Sequence, residues 1–140
     1  MKIIETYSEE ETKQVAKNIA SKMDKNQVII LNGELGAGKT KFTEGFLSYF
    51  GLENEISSPT FTIVNEYKNE NVNIYHFDVY RLSNIDEFFA IGGEEYFSRG
   101  ICIIEWGEII KGALPNHYIK IDIKKDEENL DKRIIYIEEK

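Results

Sequence analysis

Gly33-Glu34-Leu35-Gly36-Ala37-Gly38-Lys39-Thr40 carries glycines, a lysine and a threonine at the spacing of a Walker A phosphate loop. Each residue type has a reason to be there. The glycines let the backbone wrap a phosphate closely, so that several N–H groups converge on its oxygens. Lys39 would reach the β- and γ-phosphates, and the Thr40 hydroxyl would hold Mg²⁺. The chemistry this points to is nucleotide binding. The flanks agree: Val28-Ile29-Ile30-Leu31 reads as a buried strand, and Lys39 to Phe50 as a helix stopped by Gly51. A glycine-rich turn with an exposed lysine would not need this order of strand, loop and helix.

Such a site also needs an acidic group at the end of a neighbouring strand, to orient the metal or its waters. The apolar run Ile101-Cys102-Ile103-Ile104 ends in Glu105, which has that position, although a carboxylate at a sheet rim can equally be solvated there. Asp78 closes His76-Phe77-Asp78 and could assist the metal or position a water. Thr60, after Pro59, could touch the γ-phosphate from a switch-like loop. Trp106 either anchors the core or shapes the nucleotide pocket. His76, inside a strand, reads as packed or hydrogen-bonded rather than as a base, and His117 carries no functional signal. Cys102 is the only cysteine, so it forms no internal disulfide, and its apolar neighbours mark a buried, inert thiol.

The elements that must hold these groups follow from periodicity. Lys2 to Thr6 is a short strand. Ser8 caps the next helix with Glu11 in a capping box, and that helix, with Val15, Ile19 and Met23 beside Thr12 and Ala16 on its apolar face, runs to about Asp24-Lys25-Asn26. Phe42, Phe46, Leu47 and Phe50 have the helical spacing of core residues, which outweighs a base-stacking role. Phe61 to Glu66 and Asn73 to Asp78 alternate and form an antiparallel hairpin across Lys68-Asn69-Glu70-Asn71. Asn84 caps a short helix through Phe89, broken at Gly92-Gly93 before another helical piece near Tyr96. Tyr118 to Lys124 and Arg133 to Glu138 form a second hairpin. Parallel strands around a phosphate loop together with hairpins imply an α/β fold with a mixed sheet.

With 140 residues, 41% hydrophobic, the chain is expected to form one domain, residues 1–140, with a real core. Twenty-five acidic against 17 basic residues give a net charge of −8, which disfavours unaided binding to nucleic acid. The absence of a signal-peptide pattern and of membrane-length apolar runs leads to a soluble, cytoplasmic reading without membrane association.

In order, Gly33 to Thr40, Ser58-Pro59-Thr60-Phe61, His76-Phe77-Asp78-Val79-Tyr80-Arg81-Leu82 and Ile104-Glu105-Trp106 resemble the motifs of the TsaE (YjeE) family, the bacterial ATPases of tRNA threonylcarbamoyladenosine synthesis. The resemblance implies a P-loop nucleotide-binding fold: a four-stranded parallel core flanked by antiparallel strands, with helices on both faces. It implies ATP and Mg²⁺ as cofactors. ATP would sit on Glu34, Leu35, Gly36, Ala37, Gly38, Lys39 and Thr40, with Thr60 in a switch-like segment and Trp106 flanking it; Thr40 and Glu105 would hold Mg²⁺. Lys39, Asp78 and Glu105 would serve hydrolysis, with Arg81 a further candidate in cis. TsaD and TsaB are the implied partners, tRNA being met only through the complex. Two other readings share the loop: a small-molecule kinase, disfavoured because a lid needs more than the three arginines Arg81, Arg99 and Arg133, and a non-catalytic nucleotide-binding adaptor.

Overall fold

Val28-Ile29-Ile30-Leu31 is continuously apolar because the strand it forms is covered on both faces. The computed structural model describes residues 1–55, 63–80 and 82–140. These build one sheet from β1 (Lys2–Thr6), β2 (Val28–Asn32), β3 (Val64–Lys68), β4 (Asn73–Asp78), β5 (Ile101–Glu105), β6 (Ile119–Lys125) and β7 (Arg133–Glu139). Their order is β1-β7-β6-β2-β5-β4-β3. β6, β2, β5 and β4 run parallel, β3 pairs antiparallel with β4, and β7 lies antiparallel between β6 and β1. This is the expected parallel core with antiparallel flanks.

Alternation along β2 separates two cores. Ile29 and Leu31 point to one face, where α1 (Glu9–Ala20) and α2 (Lys39–Tyr49) contribute Ala16, Ala20, Phe42, Phe46 and Leu47. Val28 and Ile30 point to the other, with Phe88 of α3 (Ile85–Ala90) and Ile110 of the 3₁₀ segment Gly107–Ala113. Helices thus cover both faces. Among the described residues, no helix is long and apolar enough to cross a membrane.

Both expected caps form. The Ser8 side chain accepts from the Glu11 amide at 3.1 Å, while Glu11 reaches back to the Tyr7 amide at 3.2 Å. Asn84 accepts from the Glu87 amide at 3.1 Å in the same way, with Glu87 on the Ser83 amide. Two boundaries move. α1 ends at Ala20 rather than near Asp24 to Asn26, since the Asp24 amide is taken by the Gln27 side chain at 2.8 Å. Its fully buried residues are Thr12, Ala16 and Ala20, whereas Val15, Ile19 and Met23 are only partly covered. The cause is Gly45 of α2: a β-carbon there would lie 2.3 Å from the Lys13 carbonyl oxygen, so the helix backbones touch and small residues fill the seam. The first hairpin's leading strand starts at Val64; Phe61 and Thr62, like 56–60, lie outside the described residues.

Candidate functional site

Because β6, β2, β5 and β4 are parallel, their C-terminal ends share one rim, the usual location of ligand sites in open α/β sheets. A cavity of about 730 Å³ opens there. Leu35, Gly36 and Gly38 line it from the loop between β2 and α2, Lys39 and Thr40 from the first turn of α2; Asp78 and Tyr80 line it from the end of β4, and Glu105 and Trp106 from the end of β5. The sequence-expected groups therefore converge from three separate elements. Thr60 and Arg81 lie outside the described residues. Glu34 faces a second cavity of about 600 Å³ that shares Lys39 and Trp106 with the first. Ala37 is fully buried and its amide donates to the Glu34 carbonyl at 3.0 Å, whereas the Leu35 side chain is exposed.

The loop's glycines are conformational requirements. Gly36 has φ 80° and Gly38 φ 111°, and a β-carbon on Gly38 would meet nothing within 4 Å. The backbone thus bends around open space. Gly38 is the N-cap of α2 and supplies no side-chain cap, and the first turn of α2 contains no acidic residue. No side chain caps the amides at this helix start, whose residues Gly38 to Lys41 line the cavity, an arrangement suited to an anion.

Lys39 Nζ lies 3.3 Å from Glu105 Oε1 and 5.2 Å from the centre of the Trp106 ring. The other carboxylate oxygen of Glu105 accepts from His76 Nε2 at 2.6 Å. Burial alone would raise the Glu105 carboxyl, but the hydrogen bond and charge of His76, followed by those of Lys39, outweigh it and hold the group below the ordinary carboxylate range. It is a carboxylate at neutral pH. Asp78 sits directly beside Glu105 in the parallel register, and its Oδ1 accepts from the Tyr80 amide at 3.1 Å, fixing the turn that leaves β4. That turn brings the Tyr80 ring within 5.0 Å of the Trp106 ring. Trp106 has φ 65°, the only positive φ outside glycine among the described residues, at a cost of about 1–2 kcal/mol. The two rings, both partly exposed, form a wall beside Lys39.

Thr40, Glu105 and Asp78 offer a hydroxyl and two carboxylates, hard oxygen donors suited to Mg²⁺. Among the described residues no group of three or more His, Cys, Asp or Glu forms a protein-only metal cage. A Mg²⁺ here would draw its remaining ligands from phosphate and water, as this ion usually does. Elsewhere, Cys102 is buried in the β5 core with its thiol pushed up to about 12 by burial, the inert group expected. Phe42, Phe46 and Leu47 are core residues.

Arg133 was not singled out by any motif, yet it reaches the site. From the first residue of β7 it donates through Nε to the Ala37 carbonyl at 2.9 Å and through a terminal nitrogen to the Gly36 carbonyl at 3.4 Å. Its only mark in the sequence is rarity, as one of three arginines. Tyr80 was likewise legible only as part of a motif.

Most of the chain is similar to known proteins. Residues 6–135 match the family described as threonylcarbamoyl adenosine biosynthesis protein TsaE. A Rickettsia bellii protein named tRNA threonylcarbamoyladenosine biosynthesis protein TsaE is 44% identical over 131 residues, covering 93% of this chain and 90% of the relative. A Bacillus subtilis protein of the same name is 43% identical over 121 residues, covering 86% and 75%. The crystal structure of Bacillus subtilis YdiB superposes with a TM-score of 0.74 at 37% identity, covering 96% of this chain and 82% of that one. The protein belongs to the TsaE family of threonylcarbamoyl adenosine biosynthesis proteins.

Proposed function

We propose that the protein is a Mg²⁺-dependent ATPase that serves tRNA N6-threonylcarbamoyladenosine formation, hydrolysing ATP to sustain turnover of a TsaD–TsaB complex. The observation that carries this reading is the convergence of Lys39, Thr40, Asp78 and Glu105 on one cavity at the sheet rim. Family membership supplies the pathway.

The residues divide the work as follows. The loop from Glu34 to Thr40 binds the phosphate chain through backbone amides at the start of α2. Lys39 would exchange its Glu105 partner for the β- and γ-phosphate oxygens, and Glu105, relieved of Lys39 but still held by His76, would with Thr40 be free to hold Mg²⁺. Bound with Thr40, Mg²⁺ would neutralise charge on the β- and γ-oxygens. Asp78, one strand from Glu105, orients the attacking water. Water oxygen bonds to the γ-phosphorus as the bond to the β–γ bridging oxygen breaks, leaving ADP and phosphate. Tyr80 and Trp106 screen that side of the cavity from bulk water.

The described residues put no uncommitted arginine over the γ-phosphate end, because the guanidinium of Arg133 is spent on carbonyl oxygens. Supplying positive charge in trans is worth about 10³–10⁵-fold to some enzymes of this class. Slow hydrolysis by the isolated chain, raised by TsaD and TsaB together, is the expected behaviour. Steady-state ATPase assays with and without both partners, beside an assay of multiple-turnover tRNA modification, test it. Fast hydrolysis indifferent to the partners, or phosphate transfer to a small acceptor, would return the kinase reading. Binding without any turnover, even in the complex, would favour the adaptor.

A further inference from the structure

Arg133 spans two segments with one guanidinium. Nε and one terminal nitrogen donate to the carbonyls of Ala37 and Gly36, in the loop before α2. The other terminal nitrogen donates to the carbonyls of Leu130 at 2.7 Å and Lys132 at 2.9 Å, in the connection between β6 and β7. Among the described residues all four bonds end on backbone carbonyls and none on a carboxylate, so no partner anion offsets the charge. The anchor is firm, since Arg133 is paired across β7 with Thr6 on β1 and Lys125 on β6. Lys125 leans on the same loop: a β-carbon on Gly36 would come within 3.1 Å of its Nζ. Two like charges directly opposite each other on paired strands repel. Here both are directed at one loop, where a bound anion would relieve that repulsion.

We propose that Arg133 is a positioning residue of the nucleotide site, a clamp on the carbonyl side of the glycine loop that sets the direction of the Gly38 amide. The proposal rests on the nucleotide reading above. A peptide unit held by its carbonyl has its N–H aimed the opposite way, so fastening the Ala37 carbonyl turns the Gly38 amide away from Arg133, while the Ala37 amide closes the loop onto the Glu34 carbonyl at 3.0 Å. The uncompensated guanidinium adds positive field at that wall. Lysine cannot replace it, because a single ammonium lacks the planar fork that spans both segments.

The test uses Arg133→Gln and Arg133→Lys, with two readouts on the full chain: amide hydrogen exchange without nucleotide, and calorimetric titration with ADP. In both variants exchange should quicken across residues 34–40 while β5 stays protected. ADP affinity should drop about tenfold in Arg133→Gln, the scale of a lost charge-assisted hydrogen bond, and by less in Arg133→Lys, which keeps the charge. Wild-type loop exchange in the variants overturns the clamp, even if affinity falls, since charge alone would then account for the loss. Faster exchange throughout the sheet also overturns it, by making Arg133 a general stabiliser. If Arg133→Gln does not fold, Arg133→Lys decides by the same criteria. A wild-type chain that binds no ADP would sink the nucleotide reading separately, leaving the exchange comparison interpretable.

Discussion

Lys39 and Glu105 neutralise one another 3.3 Å apart, and a bound phosphate chain has to separate them. Lys39→Ala removes a charged partner of phosphate, and such bonds contribute about 1.5–3 kcal/mol, so ATP affinity should fall on the order of 10–100-fold by calorimetry. Glu105→Gln keeps the shape but not the charge, and it also loosens the hold of Lys39. ADP binding without Mg²⁺ should be unchanged or tighter, while turnover falls about 10–100-fold, the usual cost of losing a metal-orienting group. Equal turnover in the variant and wild type would remove Glu105 from the mechanism. Cys102 gives a pH prediction whose sign is fixed by burial. Its folded thiol titrates at about 12, above the ordinary value of 9.0. The stability it contributes is therefore complete below pH 9 and is lost as pH rises from there toward 12. Native protein at pH 8 should resist a thiol reagent that labels the urea-unfolded chain at once. At this scale the glycine loop was legible because phosphate chemistry requires contiguous residues. The His76–Glu105 bond was not, because it joins β4 and β5 across a register that no local pattern specifies. Arg133 was still harder to see, acting on a loop 96 residues away in sequence.

The helices and strands were read well wherever a local signal set them. Ser8 and Asn84 announced their helices, and β2 and β5 declared themselves as buried runs. The reading failed where a neighbour decided. The buried stripe of α1 follows the approach of α2 at Gly45, which hydrophobicity does not encode. Two substitutions separate these causes. Ser8→Ala should cost about 1 kcal/mol, the worth of a cap, and lower the melting temperature accordingly. Gly45→Ala would ordinarily gain up to about 1 kcal/mol of helix propensity. Here the added methyl collides with the Lys13 backbone, and a net loss of about 1–3 kcal/mol is expected from the α1–α2 seam being forced open. A stabilised Gly45→Ala variant in chemical denaturation would contradict that packing.

The molecule as a whole carries a net charge of −8, which bears on whom it meets. Alone at about 0.15 M salt, where the Debye length is ~8 Å, it should not retain tRNA in a gel-shift assay. Its stimulation by TsaD and TsaB should weaken as salt rises, if the docking face is acidic and meets a basic one. The sheet order also has a temporal consequence. β1 is made first, yet its sheet neighbour is β7, with Lys2 opposite Ile137 and Thr6 opposite Arg133. While the chain is being synthesised the first described strand therefore waits, unpaired, for the last, and the glycine loop waits for the arginine that fastens it. A chain that ends before β7 would carry Lys39, Asp78 and Glu105 and still grip nucleotide poorly. Nucleotide capture then becomes a report that translation has run to the end of the fold.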